Sequence, residues 1–270
     1  MKEKVISSFD GTRIHYIASG NLNKIPVIFL HGITGNRTSW YYQAKFLEKK
    51  NIPFIIFELR GHGKSQGRFS KGFIEDSVND ILYIFSIEKI KKAIFIGNCT
   101  GAMITYRFYN KYKNLVSKVI LVNPSHRITR LGVIFSAAPY AVISSLMLKP
   151  FVKKKVYDKT KSSGSKLYFN ATANTNFISL IRANIDNILF SYKKNKVKHK
   201  NKILLIASDK DPLFSLKSQK KLALFLNSKI KIIKNTDHEA LRQKPKEINT
   251  IIYDFIKNGK HKPRANKRVK

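Results

Sequence analysis

Short, wholly apolar runs alternate with longer amphipathic ones along most of this chain, and that alternation limits its fold more than any other feature. The runs IPVIFL (25–30), PFIIF (53–57), AIFI (93–96), KVILV (118–122) and ILLIA (203–207) are strand-length and β-branched or aromatic, as expected of strands buried on both faces. Between them, residues 73–87 place Ile74, Val78, Ile81, Leu82 and Phe85 at helical spacing, and residues 38–50, 101–112, 216–226 and 245–256 also read as helices. Residues 5–9 and 13–18, joined at Asp10-Gly11, form an opening hairpin, and residues 229–233 add a further strand. Strands alternating with helices predict an α/β fold with a mostly parallel, doubly wound sheet.

The rhythm stops after Asn123-Pro124 and resumes at Ile203. The expected organisation is a core made of residues 1–124 and 200–258, an inserted helical cap over residues 125–199, and a basic, disordered tail over residues 259–270. A hydrophobic content of 43% in 270 residues is enough for one buried core.

One cysteine excludes an internal disulfide and any cysteine metal cluster, so a reducing compartment is expected and neither metal nor other cofactor is. The opening MKEKVISSFD lacks the apolar stretch of a signal peptide, which points to the cytoplasm. The net charge of +36 would attract anionic partners, but the chain is rich in Lys, Asn, Ile and Phe together, the mix a biased genome imposes on every protein. Charge exceeds that background at residues 193–202 and in the tail. No zinc-finger, helix-turn-helix or base-stacking motif accompanies it, so a nucleic-acid partner is not expected.

The local signal with the most chemistry is Gly97-Asn98-Cys99-Thr100-Gly101, placed directly after one strand and directly before one helix. Glycines on either side relieve crowding in a sharp strand-to-helix turn, and the residue between them is presented in a strained conformation with its side chain available. A thiol there also feels the helix N-terminus, which favours the thiolate. Alone, the motif is equally compatible with a buried structural cysteine.

With its surroundings, the segment resembles the nucleophile elbow of the α/β-hydrolase superfamily, in which G-x-S-x-G has a cysteine variant. His31-Gly32-Ile33 resembles the family's H-G-x turn. Glu58-Leu59-Arg60-Gly61-His62-Gly63-Lys64-Ser65 resembles its D-x-R-G-x-G-x-S segment, with Glu58 in place of aspartate; it is read as a structural loop, His62 and Ser65 being its less favoured candidates for substrate contact. The resemblance implies Cys99 as nucleophile, the backbone amides of Ile33 and Thr100 as oxyanion hole, and Gly97, Gly101, His31 and Gly32 as support. It also implies His238 as base, in the loop after the last strand, and Asp211 as the acid, with Asp209 as alternative.

The function this implies is hydrolysis of an ester or thioester with a hydrophobic acyl group through an acyl-thioenzyme. The first alternative is acyl transfer to an acceptor other than water, from an acyl-carrier or CoA-linked donor. The second is a non-catalytic, ligand-binding member of the fold. Residues 131–148 (LGVIFSAAPYAVISSLML) carry no charge and are followed by Lys149 and by lysines at 153–155. A membrane span there would separate Cys99 from Asp211 and His238, so the run is read as a lid over an acyl pocket. Such a lid is either buried against its own domain or in peripheral contact with an anionic membrane.

Overall fold

The computed structural model describes residues 1–124, 175–192 and 202–257. The expected lid run 131–148, the lysines at 153–155 and the tail 259–270 lie outside the described residues, as does all of the basic tract except Lys202.

Eight described strands form one sheet: β1 (Lys2–Ser7), β2 (Arg13–Ser19), β3 (Val27–Leu30), β4 (Phe54–Phe57), β5 (Ala93–Asn98), β6 (Val116–Val122), β7 (Ile203–Ser208) and β8 (Lys229–Ile233), in spatial order β1-β2-β4-β3-β5-β6-β7-β8. The β1–β2 and β2–β4 pairs are antiparallel and all others are parallel. The helices are α1 (Tyr41–Lys49), α2 (Phe73–Ile87), α3 (Thr100–Lys111), α4 (Phe177–Leu189), α5 (Leu216–Phe225), α6 (Ala240–Gln243) and α7 (Pro245–Lys257). The sequence periodicity places α2 and β8 at their observed limits, and its other boundaries fall a few residues from the observed ones.

The uniformly apolar central strands are explained by two cores, one on each face of the sheet. Val27, Phe29, Phe54, Ile56, Ile94 and Ile96 point into a core with Trp40, Leu47, Ile248 and Ile252. Their neighbours Ile28, Leu30, Ile55, Phe57, Ala93 and Phe95 point into the other, with Val78, Ile81, Met103, Ile104 and Phe108. Successive side chains of a strand face opposite ways, so a strand covered by helices on both sides has no polar position left. Edge strands β1 and β8 alternate exposed with partly buried residues.

The Arg60 loop is an internal clamp. Arg60 is fully buried; its Nε and Nη2 donate to Asp80 at 2.7 Å each, and Nη1 donates to Asp10 at 2.7 Å and to the Arg68 carbonyl at 2.7 Å. Ser65 Oγ donates to the Glu58 carbonyl at 2.6 Å and accepts from the His15 amide at 2.9 Å. These bonds join the hairpin, the loop after β4 and α2.

Of the stretch assigned to the cap, α4 is described, and it sits on the core. Asp186 accepts from the Ile74 amide at 2.8 Å, and Asn187 Nδ2 donates to Thr100 Oγ1 at 2.9 Å, so α4 reaches the start of both α2 and α3. No helix among the described residues is long and apolar enough to cross a membrane.

Candidate active site

Cys99 occupies the tight turn between β5 and α3 with φ 54° and ψ −117°. A non-glycine residue held there is strained by about 1–3 kcal/mol and persists only where its surroundings enforce it. They do so through the two flanking glycines. A Cβ on Gly97 would lie 2.1 Å from the Gly101 carbonyl oxygen, and one on Gly101 would lie 2.1 Å from the Leu30 carbonyl oxygen. Strand, helix and the end of β3 therefore approach more closely than any side chain allows. The Cys99 amide donates to the Val122 carbonyl at 3.0 Å, which ties the turn to β6.

The loop after β3 lies against this turn, since a Cβ on Gly32 would sit 3.1 Å from that of Cys99. His31 is buried beneath it. Its Nε2 accepts from the Leu59 amide at 3.0 Å and its Nδ1 donates to the Gly32 carbonyl at 2.7 Å, which defines one neutral tautomer. Burial, with the neighbouring His62 second, pushes its pKa down to about 3 against the pull of the Gly32 carbonyl. His62 holds the same loop, with Nε2 against the Ile33 carbonyl and Nδ1 2.8 Å from the Arg60 carbonyl. Both ring nitrogens of His62 thus meet backbone, as does the Ser65 hydroxyl.

Asp211 follows β7, with its carboxylate out of contact with solvent. Its Oδ1 accepts from the amides of Leu213 at 2.8 Å and Phe214 at 3.0 Å, and its Oδ2 accepts from Nδ1 of His238 at 2.8 Å. Asp209 Oδ1 instead accepts from the Thr236 amide at 3.2 Å, binding the end of β7 to the loop that carries His238. The Phe214 ring meets the imidazole edge to face, centroids 5.4 Å apart.

Cys99 lies close enough to that imidazole to act on its proton equilibrium. Burial by itself opposes the imidazolium, but the attraction of the Cys99 sulfur and the bonds to Asp211 and Cys99 outweigh it. The His238 pKa is raised well above its usual value. The fold thus brings Cys99, His238 and Asp211 together from the ends of β5, β8 and β7, with the Ile33 loop and Thr100 beside the sulfur.

Three residues of this site were not singled out from the sequence. Asn123, at the end of β6 with φ 42°, donates from Nδ2 to the His238 carbonyl at 3.0 Å and accepts from the Ser208 amide at 2.8 Å. Its one legible signal is an asparagine ending a strand before proline, a type that tolerates the left-handed region. Asn187 of α4 donates to Thr100, and Tyr192, just beyond α4, packs on Tyr106 of α3; no spacing in the sequence announces them.

Fold and geometry together define an α/β-hydrolase-fold protein. The family model described as "alpha/beta hydrolase fold" matches residues 25–142. The chain is 29% identical over 118 residues to epoxide hydrolase 4 of Homo sapiens, a match covering 43% of this chain and 32% of that protein. It therefore spans about a third of that relative's length. Among solved structures it superimposes on a carboxylesterase from Nitrososphaera gargenis with a TM-score of 0.77 at 19% identity, over 94% of this chain and 97% of that one. An esterase from Exiguobacterium antarcticum gives 0.79 at 17% identity, over 95% and 100%. Likeness at that identity establishes the shared fold.

Proposed function

We propose that this protein is a hydrolase of esters or thioesters with a hydrophobic acyl group, acting through Cys99 as nucleophile, His238 as acid–base and Asp211 as orienting carboxylate. The observation that carries this reading is the strained backbone of Cys99, held at the head of α3 with the imidazole of His238 against its side chain and Asp211 behind that imidazole. Strain of this kind, at a residue contacting a carboxylate-backed histidine, is what a presented nucleophile requires.

In the first step His238 takes the proton of the Cys99 thiol as the sulfur attacks the acyl carbon and a C–S bond forms. The carbonyl oxygen takes up negative charge beside the amides of Ile33 and Thr100, preorganised donors aimed where that charge develops. As the bond to the leaving group breaks, His238 passes it a proton, and Asp211 keeps the tautomer and orientation required. Water, giving a proton to His238 as base, then attacks the acyl-thioenzyme, and the C–S bond breaks to release the acid while His238 returns that proton to the sulfur and restores the thiol. A different acceptor in place of water would make the same intermediate serve acyl transfer. The esterase and carboxylesterase neighbours, which share the fold, support the choice of ester chemistry.

The test is the intact mass of the protein after incubation with a panel of acyl esters and thioesters. The expected result is a single acyl adduct that maps to Cys99 and is absent from Cys99→Ala. No adduct and no turnover across the panel would overturn the reading in favour of a binding role.

A further inference from the structure

The oxyanion role of Thr100 uses its backbone amide alone, yet its side chain is buried against the sulfur. Thr100 Oγ1 lies 4.0 Å from Cys99 Sγ and 2.9 Å from Asn187 Nδ2, and Thr100, Cys99 and Asn187 are 0%, 7% and 4% exposed. A threonine inside a helix commonly gives its proton to the carbonyl four residues back. Thr100 is the first residue of α3, so no helical turn precedes it to supply that carbonyl. The Asn187 amide nitrogen donates and cannot accept, so the threonine oxygen is the acceptor of that bond and keeps its single proton for the sulfur. Asn187 is itself held in place by α4: the adjacent Asp186 accepts from the Ile74 amide at 2.8 Å, and Ala183, one turn back, is fully buried.

We propose that the Thr100 hydroxyl donates a hydrogen bond to the Cys99 sulfur and that Asn187 is the positioning residue that aims it, so that α4 takes part in activating the nucleophile. This inference rests on the reading of Cys99 as nucleophile and adds two side chains to it. The sulfur carries negative charge at two moments: once its proton has passed to His238, and again when the C–S bond of the acyl-thioenzyme breaks and its electron pair returns to sulfur. A fixed donor at Sγ stabilises both relative to the neutral thioester between them. A thiolate accepts and cannot donate, so in the charged form the direction of the Thr100 bond is set. His238, backed by Asp211, acts on the same sulfur, and the variants below leave both in place.

The chain has one cysteine, so alkylation by iodoacetamide at neutral pH reads Cys99 directly and needs no substrate. Thr100→Val replaces the hydroxyl by a methyl group of like shape and keeps the backbone amide. Its alkylation should slow by about three- to tenfold, the size of one net hydrogen bond, while Thr100→Ser stays within about twofold of wild type. Asn187→Leu should slow alkylation by about two- to fourfold in the wild-type background and have no further effect in Thr100→Val, because it acts through the hydroxyl. An unchanged rate in Thr100→Val, a Thr100→Ser as slow as the valine variant, or an Asn187 effect that persists without the hydroxyl would overturn the inference. Faster alkylation in Asn187→Leu overturns it too, since the threonine proton would then have been held by the amide oxygen. If Thr100→Val does not fold, Thr100→Ala against Thr100→Ser makes the same comparison. With an acyl ester, the adduct on Thr100→Val should also outlast that on wild type by about three- to tenfold. The expected alkylation pattern with no acyl adduct on wild type leaves the hydrogen bond standing and overturns the hydrolase reading, whereas an adduct with no effect of Thr100→Val on either rate overturns this inference only.

Discussion

Asp211 and not Asp209 meets His238, with Oδ2 2.8 Å from Nδ1, while Asp209 binds the amide of Thr236. Asp211→Asn should lower turnover of an activated ester by about 10³- to 10⁴-fold, as loss of the tautomer-fixing carboxylate does in hydrolytic triads. Asp209→Asn keeps an oxygen for Thr236 and should leave the rate near wild type. Steady-state kinetics on the two variants decides the assignment, and the reverse order would move the acid to Asp209.

Cys99→Ala should abolish both covalent acylation and turnover, because Cys99 is the side chain that the strained turn between β5 and α3 presents. Cys99→Ser retains the geometry and should keep measurable esterase activity through general-base catalysis by His238. Mass spectrometry and ester hydrolysis measure the two properties separately. Full activity in Cys99→Ala would remove the nucleophile assignment.

His238 should titrate well above the usual histidine value of about 6.5, and Cys99→Ala should bring it down by removing the side chain that favours the imidazolium. Because the folded pKa is raised, this group adds stability that is fully present below the unfolded value and is lost as pH rises through the folded one. Imidazole NMR resonances followed against pH test the first statement. Urea unfolding at neutral and alkaline pH tests the second, where wild type should lose more stability than Cys99→Ala.

Arg60 bonds two carboxylates from full burial. Arg60→Met keeps the packing volume but leaves Asp80 buried without its cation, and should destabilise the fold by about 3–5 kcal/mol. The measurement is urea unfolding at neutral pH, and a change below about 1 kcal/mol would show that water replaces the guanidinium without penalty.

Asn123 positions the His238 loop without touching the reacting atoms. Asn123→Asp keeps the acceptor for the Ser208 amide and removes the donor to the His238 carbonyl. The expected effect is a fall in kcat of about tenfold, the size of one net hydrogen bond, with KM little changed and Asp211 still bonded to His238. A fall in KM-linked affinity alone would instead mark Asn123 as part of the substrate site.

What the sequence determined by itself is the alternation of strands and helices and the turn at Cys99. Apolar runs such as FIIF and AIFI and the helical spacing of residues 73–87 are local properties that burial enforces in place. The turn was legible because Gly97 and Gly101 answer a steric demand within five residues. Only the tertiary structure decided which of Asp209 and Asp211 faces His238, that Asn123 braces the His238 loop, that α4 lies across the start of α3, and that the four residues of α6 form a helix at all. Those outcomes depend on side chains far apart in the chain meeting where parallel strands end, and on the order β3-β5-β6-β7-β8 that sets those ends side by side. A single sequence carries no local pattern for such contacts, because their free energy is gained only after the sheet has formed.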